Sequence, residues 1–157
     1  MVPHPLHSAP HVIASRTILL VEDEPFVREA TRQLLEAAGF RVFVAQDAFE
    51  AKNLCTQLGD RIVLVMTDLV LPGSTGLQLG EDLRSRFPNL QLLVTSGYSD
   101  AENEIESPSA HTYFLAKPYT RNALVGKIEA ILESCAVASA EPLSRPPDAA
   151  RAASQAS

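Results

Sequence analysis

Residues 62–76 read IVLVMTDLVLPGSTG, an apolar run that ends on a carboxylate and then turns. The run from Ile62 to Met66 is far shorter than the roughly 20 residues needed to cross a bilayer. It suits a strand buried on both faces, here Ile62 to Thr67. After Pro72-Gly73, the residues Leu77, Leu79, Gly80, Leu83 and Phe87 fall at helical spacing, and Pro88 stops the helix. Upstream, Thr17 to Val21 predicts another such strand, and Pro25 opens a helix carrying Val27, Ala30, Leu34 and Leu35, closed by Gly39. Val42 to Ala45 predicts the next strand. Asp47 then caps a helix with Ala48, Ala51, Leu54, Cys55 and Leu58 on one side, ending at Gly59. Downstream, Leu90 to Thr95 and Tyr113 to Ala116 predict two more strands. A last helix from about Thr120 presents Leu124, Val125, Ile128, Ile131 and Leu132. Strand and helix alternate throughout, which predicts an α/β fold: a doubly wound, five-stranded parallel sheet with helices on both faces.

With 157 residues and 46% hydrophobic content, the chain suits one domain, expected over residues 16–135. Residues 1–15, rich in Pro, His, Ser and Ala, and the Ala/Ser/Pro-rich residues 136–157 lack periodicity and are expected to be disordered tails. A net charge of −6 without any Lys/Arg cluster offers no grip for nucleic acid or an anionic bilayer. No basic start with an apolar stretch marks a secretory signal, so the expected location is cytoplasmic. Cys55 and Cys135 have no metal-ligand spacing, and reduced thiols are expected, Cys55 on an inner helix face.

In a parallel sheet covered by helices, ligands bind at the carboxyl ends of the strands. Glu22 and Asp23 follow the first strand, Asp68 the third, Thr95 and Ser96 stand at the end of the fourth, and Lys117-Pro118 follows the fifth. Three carboxylates crowded at one edge repel one another unless a cation or protons intervene. Oxygen ligands with room left for water and phosphate suit Mg²⁺. Lys117 adds a point charge for a phosphate and a strand-end hydroxyl adds a donor. Together they can support phosphoryl transfer to a carboxylate nucleophile.

The fragments VEDEP at 21–25, TDLVLPGSTG at 67–76, TSGYSD at 95–100 and KPYT at 117–120 resemble the receiver domains of bacterial response regulators, over about 120 of the 157 residues. The resemblance implies a flavodoxin-like strand order 2-1-3-4-5. It implies Asp68 as phosphoacceptor, Glu22 and Asp23 as Mg²⁺ ligands together with Asp68 and the Val70 carbonyl, and Lys117 as the phosphate contact. Thr95 and Ser96 are adjacent and point to opposite sides of a strand; alignment on Gly97-Tyr98 selects Ser96 as the switch hydroxyl, with Thr95 second. Phe114 matches the aromatic that changes rotamer with it, ahead of Tyr113. The family docks its kinase against the first helix, where Glu24, Arg28 and Glu29 otherwise form a solvated face. The implied partners are a histidine kinase or histidine phosphotransfer protein and a downstream protein target, with no nucleic acid or membrane. The expected chain is a monomer or weak homodimer and a signalling phosphoacceptor, not an enzyme acting on other substrates.

Three features depart from the commonest pattern of that family. Glu22 stands where Asp is frequent. Thr75 replaces the Asp or Asn that often precedes Gly76, yet can still cap the helix. Ser99 to Ala110, with Pro108, has too little apolar periodicity for a full fourth helix, which is expected to be short or irregular, as in receivers attached to hybrid sensor kinases. With no DNA-binding or catalytic pattern after residue 135, a single-domain regulator acting by protein contacts is expected. Alternatives are a phosphoryl shuttle in a relay, an interaction domain that keeps the fold without phosphorylation, and, last, a flavin-binding protein, whose phosphate the acidic loop would repel.

Overall fold

The computed structural model describes residues 16–97 and 110–140, with side chains to residue 135. The expected tail at 1–15, the residues after 140 and nearly all of the expected irregular helix at 99–110 lie outside the described residues.

The apolar runs form the sheet, in chain order β1 (Thr17–Val21), β2 (Arg41–Ala45), β3 (Ile62–Asp68), β6 (Gln91–Ser96) and β7 (Thr112–Ala116). Two short strands, β4 (Val70–Leu71) and β5 (Ser74–Thr75), pair antiparallel in a separate hairpin after β3. The main sheet has the spatial order β2-β1-β3-β6-β7, all parallel, which is 2-1-3-4-5 once the hairpin is set aside. β1 and β3 lie inside the sheet, which is why their sequences are apolar at successive positions instead of alternating. Among the described residues, four α-helices connect or follow the strands: α1 (Pro25–Ala37), α2 (Ala48–Leu58), α3 (Gly76–Arg84) and α4 (Arg121–Ala140).

Alternation along each strand sends side chains to two cores. One unites Leu19, Val21, Val65, Leu92 and Val94 with Ala51 and Cys55 of α2 and Leu79 and Leu83 of α3. The other unites Ile18, Leu20, Leu64 and Leu93 with Leu35 of α1 and Leu124, Ile128 and Ile131 of α4. The helices therefore cover both faces, as expected. Cys55 is buried, unpaired and held up at about 11 by its burial.

Strand limits differ from the expected ones by no more than one residue, and three details correct the sequence reading. On α1, Val27 and Ala30 are exposed, and Thr31 with Leu35 makes the buried stripe, because residues four apart share a helix face. The third helix stops at Arg84; Phe87 lies past it and packs on the first core from the following turn. The last helix runs to Ala140, beyond the boundary expected at 135.

Candidate functional site

The expected residues converge at the carboxyl edge of the sheet. Glu22, directly after β1, is buried; its N–H donates to the Ala45 carbonyl (3.0 Å) and its carbonyl accepts from Arg28 Nη1 (2.8 Å). Its carboxylate accepts from the Glu24 N–H at 3.1 Å, so a short turn folds it inward. Asp23 is exposed. One carboxylate oxygen each from Glu22, Asp23 and Asp68 lie within 4.8 Å of one another. That set of hard oxygen donors, partly open to water, fits a divalent cation of the Mg²⁺ kind.

Lys117 answers the negative charge. Its Nζ lies 2.7 Å from Asp68 Oδ1 and 3.9 Å from Glu22 Oε1. Burial alone pushes the ammonium's pKa down, but bonding to Asp68 and the two nearby carboxylates outweigh it and hold it above its ordinary value. Burial lifts the Glu22 carboxyl from 4.5 to about 7, aided by Asp68 and opposed by the Glu24 N–H and Lys117.

The backbone sets these positions. The Leu69 N–H donates to the Thr95 carbonyl (2.8 Å), fixing the chain just past Asp68, and the Lys117 N–H donates to the Ser96 carbonyl (2.8 Å). The hairpin then returns so closely that the Gly76 N–H meets the Leu69 carbonyl at 2.7 Å, and a Cβ on Gly76 would collide with the Asp68 carbonyl oxygen. Thr75 caps α3 reciprocally with Gln78, the role its sequence position predicted. Just past Lys117, Tyr119 is partly buried and packs on the second core.

Asp68, Val70, Thr95, Ser96 and Lys117 line a cleft of about 160 Å³. Val70 is 73% exposed at its rim. Ser96 shares a sheet face with Val94, whose partner across the strand pair is Phe114, so Ser96 and Phe114 stand on the same side. Phe114 packs on the first core and Tyr113 on the second, which separates the two aromatics.

Thr95 has a contact that motif alignment did not contain. It pairs in register with Asp68, is 2% exposed, and donates its hydroxyl to Asp68 Oδ1 at 2.9 Å. Sequence reasoning also missed the Arg28 bond to the Glu22 carbonyl. The Thr95 contact follows from the parallel register of β3 against β6, which puts paired side chains on one face and which no sequence motif specifies.

Comparison with known proteins bears on the family and the fold. Residues 18–129 match the response regulator receiver domain. The sensor kinase CckA of Brucella abortus (strain 2308) is 30% identical over 129 residues, covering 82% of this chain and 14% of that protein. The transcriptional regulatory protein CpxR of Escherichia coli (strain K12) is 31% identical over 115 residues, covering 73% and 48%. The chain thus spans less than half the length of these relatives. Among solved structures, the receiver domain of the hybrid histidine kinase CckA superposes with a TM-score of 0.65 at 29% identity, covering 74% of this chain and 98% of that one. TrrA of Thermotoga maritima, solved in complex with Mg²⁺-BeF, gives a TM-score of 0.66 at 24% identity over 74% and 98%, a likeness of fold alone. With the family's pattern running from Ile18 in β1 to Glu129 in the last helix, the chain belongs to the response regulator receiver domains.

Proposed function

We propose that the chain accepts a phosphoryl group on Asp68 from a phosphorylated histidine of a kinase or phosphotransfer protein, with Mg²⁺ held by Glu22, Asp23, Asp68 and the Val70 carbonyl. The observation that carries this reading is the meeting of Asp68 with Lys117 and two further carboxylates in one open cleft. A carboxylate oxygen of Asp68 forms a bond to phosphorus while the phosphorus–nitrogen bond breaks, and the electron pair stays on the departing imidazole. When bound, Mg²⁺ supplies positive charge against the carboxylates and the phosphoryl oxygens. Lys117 and Ser96 meet the phosphoryl oxygens, and the new charge shifts a two-state equilibrium of Ser96 and Phe114.

Output by protein contact is supported by the exposed apolar residues. Phe26 (85% exposed), Phe49 (74%) and Val70 follow the carboxyl ends of β1, β2 and β3, on the same edge as the cleft. The kinase or its histidine domain docks on this rim, against the start of α1. The cytoplasm is the compartment this reading assigns, supported by two free cysteines and, among the described residues, no helix long and apolar enough to cross a membrane. A second reading, a relay shuttle passing the group from Asp68 to a histidine phosphotransfer protein, is favoured by the similarity to the CckA receiver.

The test is intact-protein mass spectrometry after incubation with a small-molecule phosphodonor and Mg²⁺. A phosphoryl adduct is expected on the native chain and absent with Asp68→Asn or EDTA. No adduct on folded protein, with a phosphorylated kinase also supplied, overturns the reading.

A further inference from the structure

We propose that Thr95 is a positioning residue for the phosphoacceptor: by donating to Asp68 Oδ1 it holds the carboxylate so that its other oxygen is turned toward Glu22 and Asp23. This deepens the reading of Asp68 as phosphoacceptor and rests on it. Two donors meet on that one oxygen, Thr95 Oγ1 at 2.9 Å and Lys117 Nζ at 2.7 Å. A single donor leaves a carboxylate free to rock about the contact, whereas two donors from different strands fix its plane. They come from neighbouring strands, Thr95 from the end of β6 and Lys117 from just past β7.

The contact is not a by-product of satisfying a buried hydroxyl. The Thr67 carbonyl is also within reach of Thr95 Oγ1, at 3.4 Å, yet the shorter bond goes to the carboxylate. Thr95 is nearly fully buried, its Cα is in register with that of Asp68, and the Leu69 N–H bonds its carbonyl. Its hydroxyl has little freedom to go elsewhere, and the donor is in place before any phosphoryl group arrives. Orientation of a nucleophile in advance lowers the barrier without new chemistry.

The experiment compares Thr95→Val, which keeps shape and removes the hydroxyl, with Thr95→Ser, which keeps the hydroxyl. Thr95→Ala serves as a second hydroxyl-free variant should valine disturb the fold, and thermal melts establish that each is folded. The first readout is Mn²⁺ affinity of the unphosphorylated protein by electron paramagnetic resonance. The second is the rate of adduct formation with a small-molecule phosphodonor. Loss of the hydroxyl is expected to weaken Mn²⁺ binding measurably and to slow phosphorylation about tenfold, the scale of one hydrogen bond to a charged group. Thr95→Ser restores both. Native affinity and rate in Thr95→Val, with the native chain itself phosphorylated, overturn this inference and leave the phosphoacceptor reading standing. If the native chain takes no phosphoryl group, that reading fails, and the Mn²⁺ comparison alone decides the role of Thr95.

Discussion

Lys117 Nζ lies 2.7 Å from Asp68 Oδ1, so the cation that the proposal assigns to a phosphoryl group is already engaged by the nucleophile in the unphosphorylated protein. The pair is partly open to water, which moderates its worth compared with a fully buried bridge. Replacing Lys117 with Met leaves the Asp68 and Glu22 carboxylates facing each other without their counter-charge. The expected cost in metal-free buffer is about 1–2 kcal/mol, several degrees in Tm. Mg²⁺ should recover more of that loss in Lys117→Met than it adds to the native chain, because it replaces the missing charge. Calorimetric melts with EDTA and with Mg²⁺ measure both, and equal Mg²⁺ stabilisation of the two proteins would contradict the charge argument.

Gly76 is needed for space, not for a special φ. A Cβ there meets the Asp68 carbonyl oxygen and, at 2.8 Å, the Thr67 side chain, and the carbonyl belongs to backbone that cannot swing aside. Gly76→Ala is expected to destabilise by about 2–4 kcal/mol, the range of a forced overpacking at a tight backbone approach. At Gly126, on the exposed side of α4, a Cβ would meet nothing within 4 Å. Gly126→Ala should instead stabilise by up to about 1 kcal/mol through helix propensity. Urea denaturation of the two variants separates the effects.

The order of strands and helices was legible because each apolar run is strand-length and the first three helices carry their own start signals: Pro25 at the first turn of α1, Asp47 on the Glu50 N–H, Thr75 on the Gln78 N–H. The site was legible for the same reason, since a residue just past a buried strand must stand at the sheet's edge. Contacts set by how the strands slide against each other were not legible. Pairing Asp68 with Thr95 follows from the β3–β6 register, and a slip of one residue exchanges the faces on which Thr95 and Ser96 present their hydroxyls. The buried stripe of α1 was misread at Val27 and Ala30 because apolarity alone does not tell a core contact from an exposed rim, and Thr31 is polar yet buried.

The cap on α2 allows a cleaner measurement than the site. Asp47 Oδ1 accepts the Glu50 N–H at 2.8 Å, and Glu50 Oε1 accepts the N–H of Gln46, the residue before the cap, at 2.8 Å, both on an exposed turn. Asp47→Ala is expected to cost about 1 kcal/mol, and Asp47→Ser a few tenths. A loss equal in Ala and Ser variants would mean that the side chain stabilises by charge near the helix start and not by capping. Neither variant should change the phosphorylation rate, since the cap lies outside the cleft lining.

Glu22 makes the metal-free protein sensitive to pH in a direction opposite to that of an ordinary paired carboxylate. Its carboxyl titrates at about 7 in the fold against 4.5 when unfolded, chiefly because burial disfavours the ionised form. The folded state therefore holds the proton more tightly, and the stabilisation this contributes is complete below about 4.5 and lost as pH rises through about 7. Removing metal should thus lower stability progressively across that window, and Glu22→Gln, which cannot ionise, should lack this decline. Mg²⁺ binds the ionised form, so its stabilising effect should grow over the same interval and be smallest at the acid end. Urea unfolding at intervals across the window, with EDTA and with Mg²⁺, reads both slopes. A native chain and a Glu22→Gln variant with the same metal-free slope would place the pH sensitivity elsewhere in the molecule.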